Sequence, residues 1–198
     1  MERYPFSALL ARQKYIARWG LMRCQRTETV AEHTADTAQL AYLLAVVAAE
    51  RYGADANPEK VAVAALFHDA GEILTGDLPT PVKYKTEPLK NAYKALEKTA
   101  EESLLALLPK DVRGRMAPAV TAAGLNARER DILKAADKLS ALIKCMEEAQ
   151  GGNREFIKAE QSQRQALQKL NLPEVRDFCE TMLPCFEETL DQLAQGAF

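Results

Sequence analysis

The chain has 198 residues, of which 47% are hydrophobic and 27% charged, and its formal net charge is -2 at pH 7. That length suits one domain, residues 1–198, able to bury most of its unfolded surface without staples, and no linker argues for two. The near-balanced charge gives no general reason to expect a nucleic-acid-polymer surface, whose mark is a clustered positive excess, and leaves room for a local phosphate site.

Cys24, Cys145, Cys179 and Cys185 form no CxxC pair and no dense framework, so they read as reduced thiols in a reducing compartment. The N-terminus lacks a long apolar region with a cleavage site, and no later run reaches a membrane span. A soluble, cytoplasmic protein with no membrane partner is the expectation.

In chain order, Phe6, Leu9, Leu10, Ile16 and Trp19 predict an amphipathic helix from about Pro5 to Trp19, with Gly20 releasing the chain. Arg18, Arg23 and Arg26 are either surface charge or an anion site. Thr29 and Glu32 have capping-box spacing and open a long Ala, Leu and Val run that predicts a buried helix as far as Gly53. His33 lies near its start, where free N–H groups disfavour a charged imidazolium. A metal-binding neutral ring and a capped structural histidine are both open there.

Asn57 and Pro58 start a helix predicted to run to about Leu74. Val61, Ala65, His68 and Glu72 share one of its faces, which turns from apolar to ionisable within two turns. Asp69 adjoins His68. Residues 75–88 form a turn-rich loop carrying Asp77 and Lys83, followed by helices over about 89–108 and 112–123.

Asn126 and Glu129 cap a further helix with a buried stripe through Ile132, Leu139 and Leu142, beside which Asp137 is embedded. A buried lone aspartate is costly unless a cation or hydrogen bonds compensate it. The last two helices cover about 153–170 and 173–195, with Pro184 a candidate kink and Phe178, Met182, Phe186, Leu190 and Leu193 a packing stripe. An all-α domain follows.

Two histidines and several embedded aspartates point to a mixed nitrogen and oxygen site for a divalent transition metal. His68 and Asp69 pose a difficulty, because consecutive residues of a regular helix point about 100 degrees apart. His33 and Asp137 are the candidates from other helices.

Four segments carry a resemblance that composition does not: RWGLMR at 18–23, RTETVAEHT at 26–34, LFHDAGEILTGDLPTPVKY at 66–84 and KAADKLSALIKCMEE at 134–148. With them the chain resembles the HD-domain metal-dependent phosphohydrolases and, within these, the bacterial 5'-deoxynucleotidases. The resemblance implies a single HD-domain helical bundle with a mononuclear metal site, commonly a homodimer. It makes His33, His68, Asp69 and Asp137 the ligands of one cobalt or manganese ion per subunit, with no organic cofactor.

It also assigns Arg18 to the substrate phosphate, Glu72 to the acidic machinery near the attacking water, Asp77 to the sugar and catalytic region, and Trp19 to exclusion of a 2'-hydroxyl. The implied substrates are deoxyribonucleoside 5'-monophosphates, hydrolysed directly to deoxyribonucleoside and phosphate. A cyclic-nucleotide phosphodiesterase, a nucleotide triphosphatase and a catalytically inactive nucleotide sensor are the alternatives. Thr34 and Lys83 are supporting residues at most.

Overall fold

The structure is a computed structural model that describes residues 2–195. Its helices are α1 (Phe6–Leu10), α2 (Val30–Tyr52), α3 (Pro58–Ala65), α4 (Glu72–Thr75), α5 (Thr80–Lys83), α6 (Glu87–Ala106), α7 (Lys110–Val120), α8 (Ala127–Gln150), α9 (Ile157–Leu170), α10 (Pro173–Thr181) and α11 (Leu190–Ala194). Short 3-10 turns cover Ala11–Tyr15, Arg154–Phe156 and Leu183–Glu187. Among the described residues no strand forms, and the only β contact is an antiparallel bridge between Ala17 and Thr29.

Two long helices begin where their caps predict. Thr29 and Glu32 satisfy each other's backbone N–H groups at the start of α2, as do Asn126 and Glu129 at the start of α8. Gly53, at φ +60°, closes α2 in the left-handed conformation that glycine adopts without a steric penalty. Glu129 does more than cap: though only 2% exposed, it accepts from the Asn57 backbone N–H at 3.1 Å and from Lys60 Nζ at 2.8 Å, tying α8 to the start of α3.

The core lies where α2, α3 and α8 meet. Leu44, Val61, Ile132, Leu139 and Leu142 are fully buried within one cluster, which α10 closes with Val175 and Phe178. Burying each large aliphatic chain contributes about 1.5–3 kcal/mol, several times the difference in helix propensity between ordinary residues. Packing therefore fixes α2 against α8, and with it the placement of whatever their inner faces carry.

Four predicted elements differ from the observed ones, the smallest difference being that the 75–88 loop carries the short helix α5. The N-terminal helix stops well short of Trp19: α1 gives way to a 3-10 turn, and residues 16–18 are drawn into extended backbone pairing, with Ile16 O accepting from Val30 N and Arg18 N donating to Glu28 O, each at 2.9 Å. The helix from Pro58 ends at Ala65 and does not reach Leu74. At the C-terminus Pro184 breaks the helix outright, so the expected stripe divides into buried Phe178 and exposed Phe186, Leu190 and Leu193.

Candidate metal centre

The break after Ala65 builds the site. In a continuing α-helix the Ala65 carbonyl would accept from the Asp69 N–H. Here it accepts from the His68 backbone N–H at 3.4 Å and from His68 Nδ1 at 2.7 Å. The chain tightens through i to i−3 bonds, Phe67 N to Ala64 O and Ala70 N to Phe67 O, before α4 starts. Adjacent side chains of a regular helix diverge, but this turn brings His68 Nε2 and Asp69 Oδ2 to 3.2 Å.

The His33 ring enters from the first turns of α2 and is completely buried. Its Nε2 lies 3.4 Å from His68 Nε2, 3.6 Å from Asp69 Oδ2 and 3.2 Å from Asp137 Oδ1. His33, His68 and Asp69 form the tight group of candidate ligands, and Asp137, from α8, joins it through His33. The second oxygen of Asp137 is bound by Lys138 Nζ at 2.9 Å.

The donor chemistry fits a cation. His68 Nδ1 can only donate to the Ala65 carbonyl, which turns the Nε2 lone pair of the neutral ring toward the group. His33 Nδ1 is 2.9 Å from Ser140 Oγ, so the same tautomer is open to it. Two lone pairs and two carboxylates facing one another repel unless positive charge lies between them. Donors about 2.1 Å from one ion can be at most about 4.2 Å apart, and each separation given above falls inside that span.

In the metal-free protein protons supply the charge. Burial works against a charged His68, but the Asp69 charge and hydrogen bond outweigh it and push the ring up to about 9. Burial likewise raises the Asp69 carboxyl, and the His68 charge overrides it, bringing it down to about 2. Asp137 is also driven below the usual carboxylate range, its burial overcome by the hydrogen bond to His33.

Arg18 and Trp19 stand beside this group on the 16–29 segment. Arg18 Nη1 reaches Asp69 Oδ2 at 3.5 Å, and its charge is reinforced by Glu28, Asp69, Asp137 and Asp77 against the cost of burial. Glu72, the first residue of α4, has a buried Oε2 with no hydrogen-bond partner. Its carboxyl is pushed up to about 9 by burial, with the charges of Asp69 and Asp77 adding to the effect. Asp77, in the loop after Gly76, is raised by burial and by Asp69 although Arg18 and the Trp19 backbone N–H oppose it.

Lys83, Arg23 and Arg26 are occupied elsewhere. Lys83 Nζ pairs with Glu97 at 2.5 Å and lies over the Tyr93 ring, Arg23 pairs with Glu155, and Arg26 with Glu32. Thr34 is buried with an unpartnered hydroxyl. Sequence reasoning missed Ser140, which meets the rear nitrogen of His33, and Glu28, which holds Arg18 and Trp19 together. One signal was available for Glu28: it precedes the α2 cap, where an apolar staple residue is usual.

Comparison with known proteins agrees with this geometry. Residues 5–186 match the family model described as 5'-deoxynucleotidase YfbR-like. The 5'-deoxynucleotidase of Cronobacter sakazakii and 5'-deoxynucleotidase YfbR of Escherichia coli (Crooks strain) are each 40% identical over 197 residues, covering 100% of this chain and 99% of theirs. Among solved structures, an HD-domain phosphohydrolase from Listeria innocua superposes with a TM-score of 0.80 at 24% identity, over 91% of this chain and 87% of that one. The cyanophage S-2L HD phosphohydrolase DatZ, bound to dA and one catalytic zinc ion, gives 0.67 at 19% identity over 90% and 96%. A family match across nearly the whole chain, on a helical fold that gathers a histidine and aspartate donor set, leads to one conclusion: this chain belongs to the YfbR-like 5'-deoxynucleotidase family of HD-domain phosphohydrolases.

Proposed function

We infer that the chain is a metal-dependent 5'-deoxynucleotidase, converting deoxyribonucleoside 5'-monophosphates into deoxyribonucleosides and phosphate. The observation that carries this reading is the approach of the Arg18 guanidinium to the same Asp69 oxygen that faces both histidines. A phosphate bound there meets a cation site on one side and a fixed positive charge on the other. His33, His68, Asp69 and Asp137 are the proposed ligands of a single ion, cobalt or manganese. The zinc of the cyanophage neighbour supports a divalent ion, and two imidazoles with two carboxylates suit all three metals.

A divalent ion held by these residues supplies Lewis acidity toward a phosphoryl oxygen and makes a water acidic enough to attack near neutral pH. Arg18 offsets charge on the phosphate oxygens, a charge-assisted contact that strengthens as charge builds in the transition state. Glu72 takes or relays the water's proton through its buried, unpartnered Oε2. Asp77 addresses the sugar and the leaving 5'-oxygen. Trp19, half-buried against Phe156 with ring centroids 5.2 Å apart, walls the space a 2'-hydroxyl would need.

A panel of nucleotides measured by phosphate release tests this. Several deoxynucleoside 5'-monophosphates should be hydrolysed and their ribo counterparts disfavoured by about a hundredfold, roughly what a closed apolar wall achieves against one added hydroxyl. Trp19→Ala should remove at least about tenfold of that ratio. Equal rates on paired substrates, or cleavage confined to diesters or triphosphates, would refute the reading.

A cytoplasmic homodimer is the assembly and location we propose with it. Exposed Leu66 and Leu74, at 45% and 49%, offer apolar surface for a second copy, and no helix among the described residues is long and apolar enough to cross a membrane. Light scattering should give twice the chain mass of 21.9 kDa, and a monomer at working concentration would exclude the dimer.

A further inference from the structure

Trp19 occupies a conformation its own backbone does not favour. Its φ of +60° lies in the left-handed region, which a bulky residue with a Cβ adopts only when its surroundings impose it. The turn bond from Met22 N to Trp19 O at 2.8 Å closes over Gly20 and Leu21 and does not involve the Trp19 side chain. What holds the side chain is Glu28, whose Oε2 accepts the indole N–H at 2.6 Å. The same oxygen accepts from Arg18 Nε at 3.2 Å, while the Glu28 backbone carbonyl accepts from the Arg18 N–H. Glu28 is only 5% exposed, and its other oxygen lies 4.0 Å from His33 Nδ1.

One buried carboxylate thus grips the arginine and the tryptophan by their side chains while lying against the rear of a candidate ligand ring. We infer that Glu28 is a positioning residue for substrate selection: it fixes the Trp19 ring and the Arg18 guanidinium relative to each other, and so sets the discrimination against ribonucleotides. This rests on the 5'-deoxynucleotidase reading above. Arg18 and Trp19 are consecutive, and consecutive side chains diverge unless something turns them toward a common point; a carboxylate oxygen accepting from both does so. Without it, the indole loses its only polar partner among the described residues, and the ring is no longer tied to the Arg18 guanidinium.

The chain contains one tryptophan, so its emission reports on this residue alone. Glu28→Gln keeps the volume and an acceptor but removes the charge; Glu28→Ala removes both. The ratio of kcat/KM for a deoxy and a ribo 5'-monophosphate, measured on one preparation, does not depend on how much of that preparation is folded or metal-loaded. The deoxy preference should fall by about three- to tenfold in Glu28→Gln and by more than tenfold in Glu28→Ala, relative to the wild type. Tryptophan emission without substrate should shift to the red, and acrylamide quenching should rise, in the same order. If Glu28→Ala does not fold, the isosteric Glu28→Gln carries the test by itself.

A folded variant that keeps both the wild-type ratio and the wild-type emission overturns the role of Glu28 while leaving the nucleotidase reading intact. A wild-type enzyme with no deoxy preference overturns both, and does so before any variant is made. A purely structural role for Glu28 would lower stability and rates on both substrates in parallel without moving their ratio, and that result also overturns the inference.

Discussion

Replacing Asp69 with alanine should abolish metal retention and lower phosphate release by at least about a thousandfold, a little over 4 kcal/mol of transition-state stabilisation. The size follows from position. Asp69 Oδ2 faces His33 Nε2, His68 Nε2 and Arg18 Nη1 at 3.2–3.6 Å, so one truncation removes a proposed ligand, the partner that holds His68 charged in the metal-free protein, and the contact of the arginine proposed to meet the phosphate. A full complement of tightly held metal in Asp69→Ala would refute the assignment.

The same substitution should change the pH dependence of stability. In the metal-free wild type the His68 pKa is raised from 6.5 to about 9. Its stabilisation is therefore complete below 6.5 and lost as pH rises through about 9. The Asp69 pKa is lowered from 3.8 to about 2, and its stabilisation is present above 3.8 and lost as pH falls toward 2. These are two ends of one ion pair, counted once. Because Glu72, raised from 4.5 to about 9, makes stability fall above about pH 4.5, the ion pair is read as the difference between wild type and Asp69→Ala in thermal unfolding after chelation, which should be level from about pH 4 to 6.5 and decline toward 9. Because ligation needs the His68 lone pair and the ion also draws Glu72 toward its ionised form, metal titration of the wild type near pH 7.5 should release more than one proton, falling to about one in Glu72→Gln, measurable by calorimetry in two buffers of different ionisation enthalpy.

Glu72→Gln should lower kcat by about a hundred- to ten-thousandfold while leaving metal content unchanged, the range expected for losing a positioned proton carrier. The amide matches the carboxyl in size and cannot hold a transferable proton. Since Glu72 carries a buried oxygen without a partner, removing its ionisable group costs the fold nothing, and the melting temperature should hold or rise. A bound dication acts on this carboxyl in the opposite sense to the burial, Asp69 and Asp77 that raise it, drawing it toward the ionised form that can accept a proton. Wild-type turnover in Glu72→Gln would end its assignment to the attacking water. Loss of metal alongside activity would instead mark Glu72 as part of the ion's hold.

Local chemistry was enough for much of the architecture. The capping boxes at Thr29 and Asn126, the Asn57–Pro58 start and the apolar runs of α2 and α8 act within a few residues of chain, so the sequence by itself determined an all-helical domain and where its two central helices begin. The motif around His68 and Asp69 likewise identified the family before any coordinates. Three features depended on tertiary structure. Helical periodicity carried the third helix on to Leu74, whereas the Ala65 carbonyl turns to His68 and releases the pair to converge. Nothing local says that residues 16–18 leave a helix to pair with 28–30, because that bond joins segments ten or more residues apart. Glu28 reads in sequence as one more surface acid, and becomes the common partner of Arg18 and Trp19 only once that pairing has buried it. Signals of short range survive in a one-dimensional chain, but a carboxylate's partner is fixed by which distant segments the core brings together.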